Sequence, residues 1–100
     1  MIAVSNPLFK PGRVLATPKC LAELERGGQN LWEFLSRHLA ADWGELDTDD
    51  KAANDEALKD GSRLLSAYVL KTGQRIWIIT EAADDDGNRE ATTALLPDEY

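Results

Sequence analysis

One histidine, one cysteine and a run of three consecutive aspartates are the residues whose types could do chemistry in this chain. His38 suits a general base or a metal ligand. Zinc sites draw on several Cys and His ligands, and here there is neither a second His nor a Cys pair. Ser36 stands two residues away, but such positions on a helix point to different faces, so the pair does not form a nucleophile with its base. His38 therefore reads as a boundary residue that packs its ring and exposes one nitrogen. The run Asp84-Asp85-Asp86-Gly87-Asn88 invites a calcium reading. An EF-hand loop needs oxygen ligands at alternate positions before its Gly and a bidentate Glu near its end. Ala82 occupies the first of these positions and no acid the last, so the run reads as a solvated hairpin tip. Cys20 has no partner for an internal disulfide or a redox pair. Gly27-Gly28 lacks the Lys-Ser/Thr of a phosphate-binding loop. Asn6-Pro7-Leu8-Phe9 lacks the second Pro and the Tyr of the amino-methyltransferase motif. No catalytic, metal or cofactor set emerges, and the expectation is that the chain uses no cofactor.

Charge and aromatics point elsewhere. The chain carries a formal charge of −7 over 100 residues, unevenly spread. Residues 42–60 hold Asp42, Glu45, Asp47, Asp49, Asp50, Asp55, Glu56 and Asp60 against Lys51 and Lys59, and residues 81–90 add a further net −4. Nucleic-acid affinity comes mainly from Lys and Arg neutralising phosphates, so direct nucleic-acid binding is not expected. A basic protein surface is the partner such a chain suits, with Asp49, Asp50, Asp55 and Glu56 as contacts. The plainer reading is that these acids keep a small domain dispersed. Trp32, at a helix start, and Trp43, in a turn, are the candidate partner-binding aromatics. Trp77, mid-strand, reads as core.

The elements that must position these residues follow from local signals. The stretch 1–12, with Pro7, Pro11 and Gly12, reads as an extended, partly mobile lead-in to a single domain over 13–100. Arg13–Ala16 is a short strand. Thr17-Pro18 starts a helix that runs to about Arg26 and ends at Gly27-Gly28. Asn30 caps a second helix, with Glu33 reaching back, and Leu31, Phe34, Leu35, His38 and Leu39 recur at helical spacing. Asp47 or Thr48 caps a third, from about Asp49 to Asp60, with an apolar stripe of Ala53, Ala57 and Leu58. Arg63–Leu70 and Arg75–Glu81 form a hairpin across Gly73, and Ala91–Leu96 adds a last strand. The order β-α-α-α-β-β-β gives an α+β fold: N-terminal helices packed on a small antiparallel meander of three to four strands. Ile76 to Ile79 supplies its buried spine.

The first ten residues lack the basic segment and apolar run of a signal peptide, and Ile76–Ile79 is far too short to cross a bilayer. These points and the lone cysteine predict a cytoplasmic protein that makes no use of a membrane. The edges of a small sheet also offer pairing between two chains, that is, a homodimer.

Nearly the whole chain resembles one family. Gly12-Arg13-Val14, Ala16-Thr17-Pro18, Glu33-Phe34-Leu35, Arg37-His38, Asp42-Trp43-Gly44, the acidic helix with Asn54, Arg63 to Tyr68, Ile76 to Ala82, Thr92-Thr93 and Leu95 to Tyr100 are similar to short bacterial proteins of plasmids and integrated elements. These are labelled "plasmid-related protein" or "type I restriction endonuclease subunit M", the latter implying a methyltransferase that 100 residues are too few to build. The resemblance implies a mobile-element setting and no defined activity. The family runs Thr-Glu-Ala-Asp-Arg-Ser into the last strand, whereas here that turn is stretched from Ala83 to Arg89. The element order also looks like that of the RelE/ParE-type toxins, which display basic, His and Tyr side chains on their sheet. On that analogy Arg63, Tyr68, Arg75 and Thr80 are the candidate ribonuclease residues. Three expectations result: an acidic accessory or interaction protein, a small RelE-like ribonuclease, and an acidic nucleic-acid mimic that occupies a DNA-binding protein.

Overall fold

Each helix opens on the residue whose side chain takes its orphan N–H groups. The computed structural model describes residues 7–100; the part of the expected lead-in at positions 1–6 lies outside the described residues. After strand β1 (Arg13–Ala16), Thr17 caps α1 (Pro18–Arg26), its hydroxyl accepting from the Cys20 N–H at 3.1 Å. Asn30 caps α2 (Leu31–Leu39) by accepting from the Glu33 N–H at 3.1 Å. The Glu33 carboxylate meanwhile accepts from the Gln29 side-chain amide at 2.9 Å. Asp47 caps α3 (Thr48–Asp60) through the Asp50 N–H at 2.8 Å, and Gly61 closes it in the left-handed conformation.

Strands β2 (Leu64–Val69), β3 (Arg75–Thr80) and β4 (Ala91–Leu95) form an antiparallel meander, and the spatial order is β1-β4-β3-β2. The element order and the α+β class are those the sequence indicated. The sheet itself is mixed, because β1 runs parallel to β4 with Val14 opposite Thr92. Three helices separate those two strands in sequence, which gives the chain the crossover a parallel pair requires.

Side-chain alternation assigns the faces. Leu64, Ser66 and Tyr68 stand opposite Thr80, Ile78 and Ile76, and this face continues into Thr92 and Ala94. Helices α1 and α2 lay Cys20, Leu24 and Phe34 against it, forming a core with Tyr68, Leu70, Ile76, Ile78 and Ala94. Burying side chains such as Leu24 and Phe34 contributes about 2 kcal/mol each. A second cluster joins Trp43, Ala57 and Leu64 with the half-buried Phe9, Leu46 and Leu58. Two expectations change here. Trp77 is half-buried rather than core: it points to the opposite face, edge-on to Tyr100 with ring centroids 5.5 Å apart. On α3 the buried face carries Asn54 with Ala57, while Ala53 is exposed.

Asn54 explains how β2 is protected at the sheet edge. Its amide donates to the Leu65 carbonyl at 2.6 Å and accepts from the Leu65 N–H at 3.1 Å, acting as one residue of a neighbouring strand. One step along, Ala67 exchanges backbone bonds with the Trp43 carbonyl (3.2 Å) and the Glu45 N–H (2.7 Å). Gly44 makes that approach sterically accessible: its φ is +76°, and a Cβ there would lie 2.0 Å from the Ala67 carbonyl oxygen. Residues 7–12 are also held. The Leu8 N–H donates to the Leu39 carbonyl at 2.9 Å, and the Pro11 carbonyl accepts from Thr92 Oγ1 at 2.8 Å.

Candidate functional site

A chain of polar groups crosses the interior of the domain at His38. The ring is fully buried and stands edge-on to both Phe9 (centroids 5.3 Å apart) and Trp43 (5.6 Å). Its Nδ1 meets Ser66 Oγ at 2.5 Å and its Nε2 meets Thr80 Oγ1 at 2.8 Å. Thr80 in turn meets Thr92 Oγ1 at 2.7 Å. The far end sets the direction of every bond. The Pro11 carbonyl can only accept, so the one hydroxyl proton of Thr92 goes to it. Thr80 must then donate to Thr92, His38 Nε2–H to Thr80, and Ser66 to the unprotonated Nδ1. The assignment is a neutral imidazole carrying its proton on Nε2. Burial, with the Arg89 charge adding to it, depresses the His38 pKa to about 4.

A serine against a histidine suggests nucleophilic catalysis, but this pair has no route to a substrate. Ser66, His38 and Thr80 are all fully buried, and nothing in the arrangement activates Ser66 toward an outside molecule. The chain of hydroxyls instead joins α2, β2, β3, β4 and residue 11 into one unit. His38 was expected to expose a nitrogen; both nitrogens are bonded inside. Ser36, its near neighbour in sequence, points to another face of the helix, and the fold brings His38 Ser66 instead, 28 positions away.

The proposed ribonuclease residues do not converge. Tyr68 faces the core and donates to the Asp42 carbonyl at 2.7 Å, and burial pushes its phenol pKa up. Thr80 is buried in the hydroxyl chain. Arg75 is exposed on the opposite face of the sheet from Tyr68 and Thr80. Arg63 is exposed and donates to the Tyr100 hydroxyl at 2.6 Å.

The candidate partner residues fare differently. Asp49, Asp50, Asp55 and Glu56 are all exposed on α3. Asp49, Glu56 and Asp60 recur at i, i+7 and i+11 and so share one stripe about 16 Å long. The stripe continues into the loop after β3, because the Ala83 N–H donates to the Gly61 carbonyl at 2.7 Å. Asp60, Asp84, Asp85 and Asp86 thereby line one open groove, with Lys10, Lys59 and Arg89 also on its walls. Lys59 lies 3.7 Å from Glu56, both well exposed, a pairing that counts for little in water. Trp43, by contrast, is 4 % exposed, and its indole N–H donates to Asp55 at 3.0 Å; the turn tryptophan packs inward beneath the ridge. Trp32 is half-buried on the first turn of α2.

In the aspartate run, Asp84 accepts from the Asp86 and Asn88 N–H groups, each at 2.9 Å, which shapes the hairpin tip. Among the described residues no group of three His, Cys, Asp or Glu is placed to hold a metal ion. Nor is any described helix long and apolar enough to cross a membrane. Burial pushes the Cys20 thiol up to about 11, so it is an unreactive core residue.

Sequence reasoning missed the role of Arg89. Its guanidinium is buried and donates to the carbonyls of Ser62 (2.8 Å), Glu81 (2.9 Å) and Ala57 (3.1 Å), clamping the end of α3 to the loop. Nothing in its acidic local sequence announces this. Ser66, Thr80 and Thr92 carried a weak signal: each falls in the inward register of its strand.

These features define an α+β domain with a sealed polar interior and an acidic ridge along one helix and one loop. No protein-family model, no curated protein and no solved structure matches the chain.

Proposed function

We propose that this chain is a non-catalytic accessory protein of a mobile genetic element, working in the cytoplasm, that docks its acidic ridge on a basic protein surface. The observation that carries the reading is the unequal treatment of polar groups. Those with catalytic potential are enclosed, while the carboxylates of Asp49, Glu56, Asp60 and Asp84 to Asp86 stand together on the outside. Such a field steers a basic partner and excludes nucleic acid. The mobile-element setting rests on the sequence resemblance alone.

The test is affinity capture from a bacterial lysate at about 50 and about 300 mM salt, where screening separates charge-driven contacts from apolar ones. The natural chain is compared with an Asp49→Lys/Glu56→Lys/Asp85→Lys variant. A basic protein retained at low salt, released at high salt and lost with the variant supports the reading. Equal capture by both forms, or no salt-sensitive partner, overturns it. Release of the captured protein by duplex DNA would make the ridge a stand-in for a phosphate backbone.

A further inference from the structure

The two edges of the sheet are finished differently. Along β2 the outward groups of Leu65 and Ala67 are taken by Asn54 and by the Trp43–Glu45 segment. At the other edge, β1 bonds inward through alternate residues: the Arg13 N–H donates to Glu90 and the Thr17 N–H to Ala94, each at 3.0 Å. The N–H and C=O groups of Val14 and Ala16 therefore point away from the sheet, and no described residue pairs with them. Val14 and Leu15 are each 44 % exposed, and Leu21 is exposed nearby in sequence on α1. Of the devices that guard such edges, β1 has its short length and the exposed Arg13, but no proline, bulge or inward-pointing charge.

We infer that β1 is the pairing edge for a second copy of this chain, joined antiparallel about Leu15. The register is self-complementary. Val14 opposite the partner's Ala16, and its mirror, form two hydrogen-bonded pairs with four N–H···O bonds, leaving Leu15 opposite its own copy in the closer, non-hydrogen-bonded position. Charge matches too. Arg13 lies at one end of the strand, with only a loose 3.9 Å contact to Glu90. At the other end Glu99 accepts from Thr17 Oγ1 at 2.7 Å. Arg13 and Thr17 share a face with Leu15, so antiparallel pairing sets each Arg13 against the partner's Thr17–Glu99 pair. The α3 part of each acidic ridge does not oppose this arrangement, because α3 packs at the β2 edge, three strand spacings or about 14 Å away. A four-residue edge buries less than the ~1,200 Å² of a standard interface, so the dimer is weak and forms at micromolar concentrations or above.

Sedimentation equilibrium of the full chain from about 5 to 500 µM is expected to show a reversible monomer–dimer transition. Leu15→Lys sets two like charges opposite each other and is expected to weaken it by about tenfold or more, with an unchanged circular dichroism spectrum showing that the fold is intact. Val14→Pro removes the outward N–H while keeping the inward ladder, and should weaken it as well. Leu15→Cys under mild oxidation should yield a covalent dimer, since non-hydrogen-bonded partners sit at disulfide distance and the native Cys20 is buried. Val69→Cys, equally exposed on β2, is the control and should stay monomeric. A chain that remains monomeric throughout, a dimer indifferent to Leu15→Lys, or equal crosslinking at positions 15 and 69 would overturn the assignment.

Discussion

Acidification between pH 8 and 5 is expected to destabilise this domain by about 2 kcal/mol through His38 alone. The unfolded chain takes up a proton on this residue near pH 6.5, while the folded ring does so only at about pH 4. Between those values the unfolded state holds more protons, so stability falls as the pH falls, by at most 1.36 kcal/mol per pH unit. The loss begins near pH 6.5, reaches about 2 kcal/mol at pH 5 and levels off at about 3 kcal/mol below pH 4. Structure supplies the cause: the ring is shut away from water, which disfavours its charged form, and the nearby Arg89 charge adds to the effect. The carboxylates held low by partners, Asp42 by Arg37 and Glu99 by the Leu96 N–H and Thr17, contribute stability that is present above their unfolded values and lost at more acid pH. The window from pH 8 to 5 thus isolates the histidine. Urea unfolding followed by tryptophan fluorescence at about 1 µM protein keeps the chain monomeric and reads the free energy directly. Because His38 is the only histidine, its ring resonances also report the folded pKa and the Nε2–H tautomer without assignment ambiguity. His38→Gln should be less stable at pH 7, by about 1–3 kcal/mol for the groups left unpaired, yet nearly flat across the window. A folded-state titration midpoint near 6.5, or the same slope in His38→Gln, would refute the argument.

Two further outcomes concern the guarded edge of β2. Asn54→Ala removes both bonds to Leu65 and should cost about 1–3 kcal/mol, read as a lower urea midpoint; Asn54→Asp should recover only part of it, since a carboxylate can accept from the Leu65 N–H but cannot donate to its carbonyl. Gly44→Ala adds a Cβ against the Ala67 carbonyl and the Tyr68 ring at a positive φ, so expression trials and thermal melts should show a severely destabilised or unfolded chain, whereas Gly73→Ala, which meets nothing within 4 Å, should cost only its own backbone strain of about 1 kcal/mol.

Local chemistry in the sequence was enough to place the elements. A hydroxyl before Pro18, an amide before Leu31 and a carboxylate before Thr48 each mark a helix start, because a cap acts within three residues of itself. The alternating run around Ile76 marks an inner strand for the same reason of short range. The acidity of residues 47–60 was equally plain, since solvated carboxylates need no partner to stay where composition puts them. What contact across the fold alone decides is the fate of polar groups that must be satisfied once buried. Trp43 beside Gly44 could be read as a plug whose N–H needs a partner or as a docking aromatic, and only the fold supplies that partner, Asp55; Arg89 looked like one charge in an acidic loop until three distant carbonyls enclosed it. His38 looked half-exposed until Ser66 and Thr80, 28 and 42 positions away, closed around it. Trp77 looked buried until the parity of its strand turned it to the face that Tyr100 only partly covers. Likewise β1, a strand in any reading, becomes an edge only because the chain returns to lay β4 beside it on one side, while no described residue pairs with the other. Hydrogen-bond satisfaction pairs groups by distance in space, and no spacing along the chain encodes that distance.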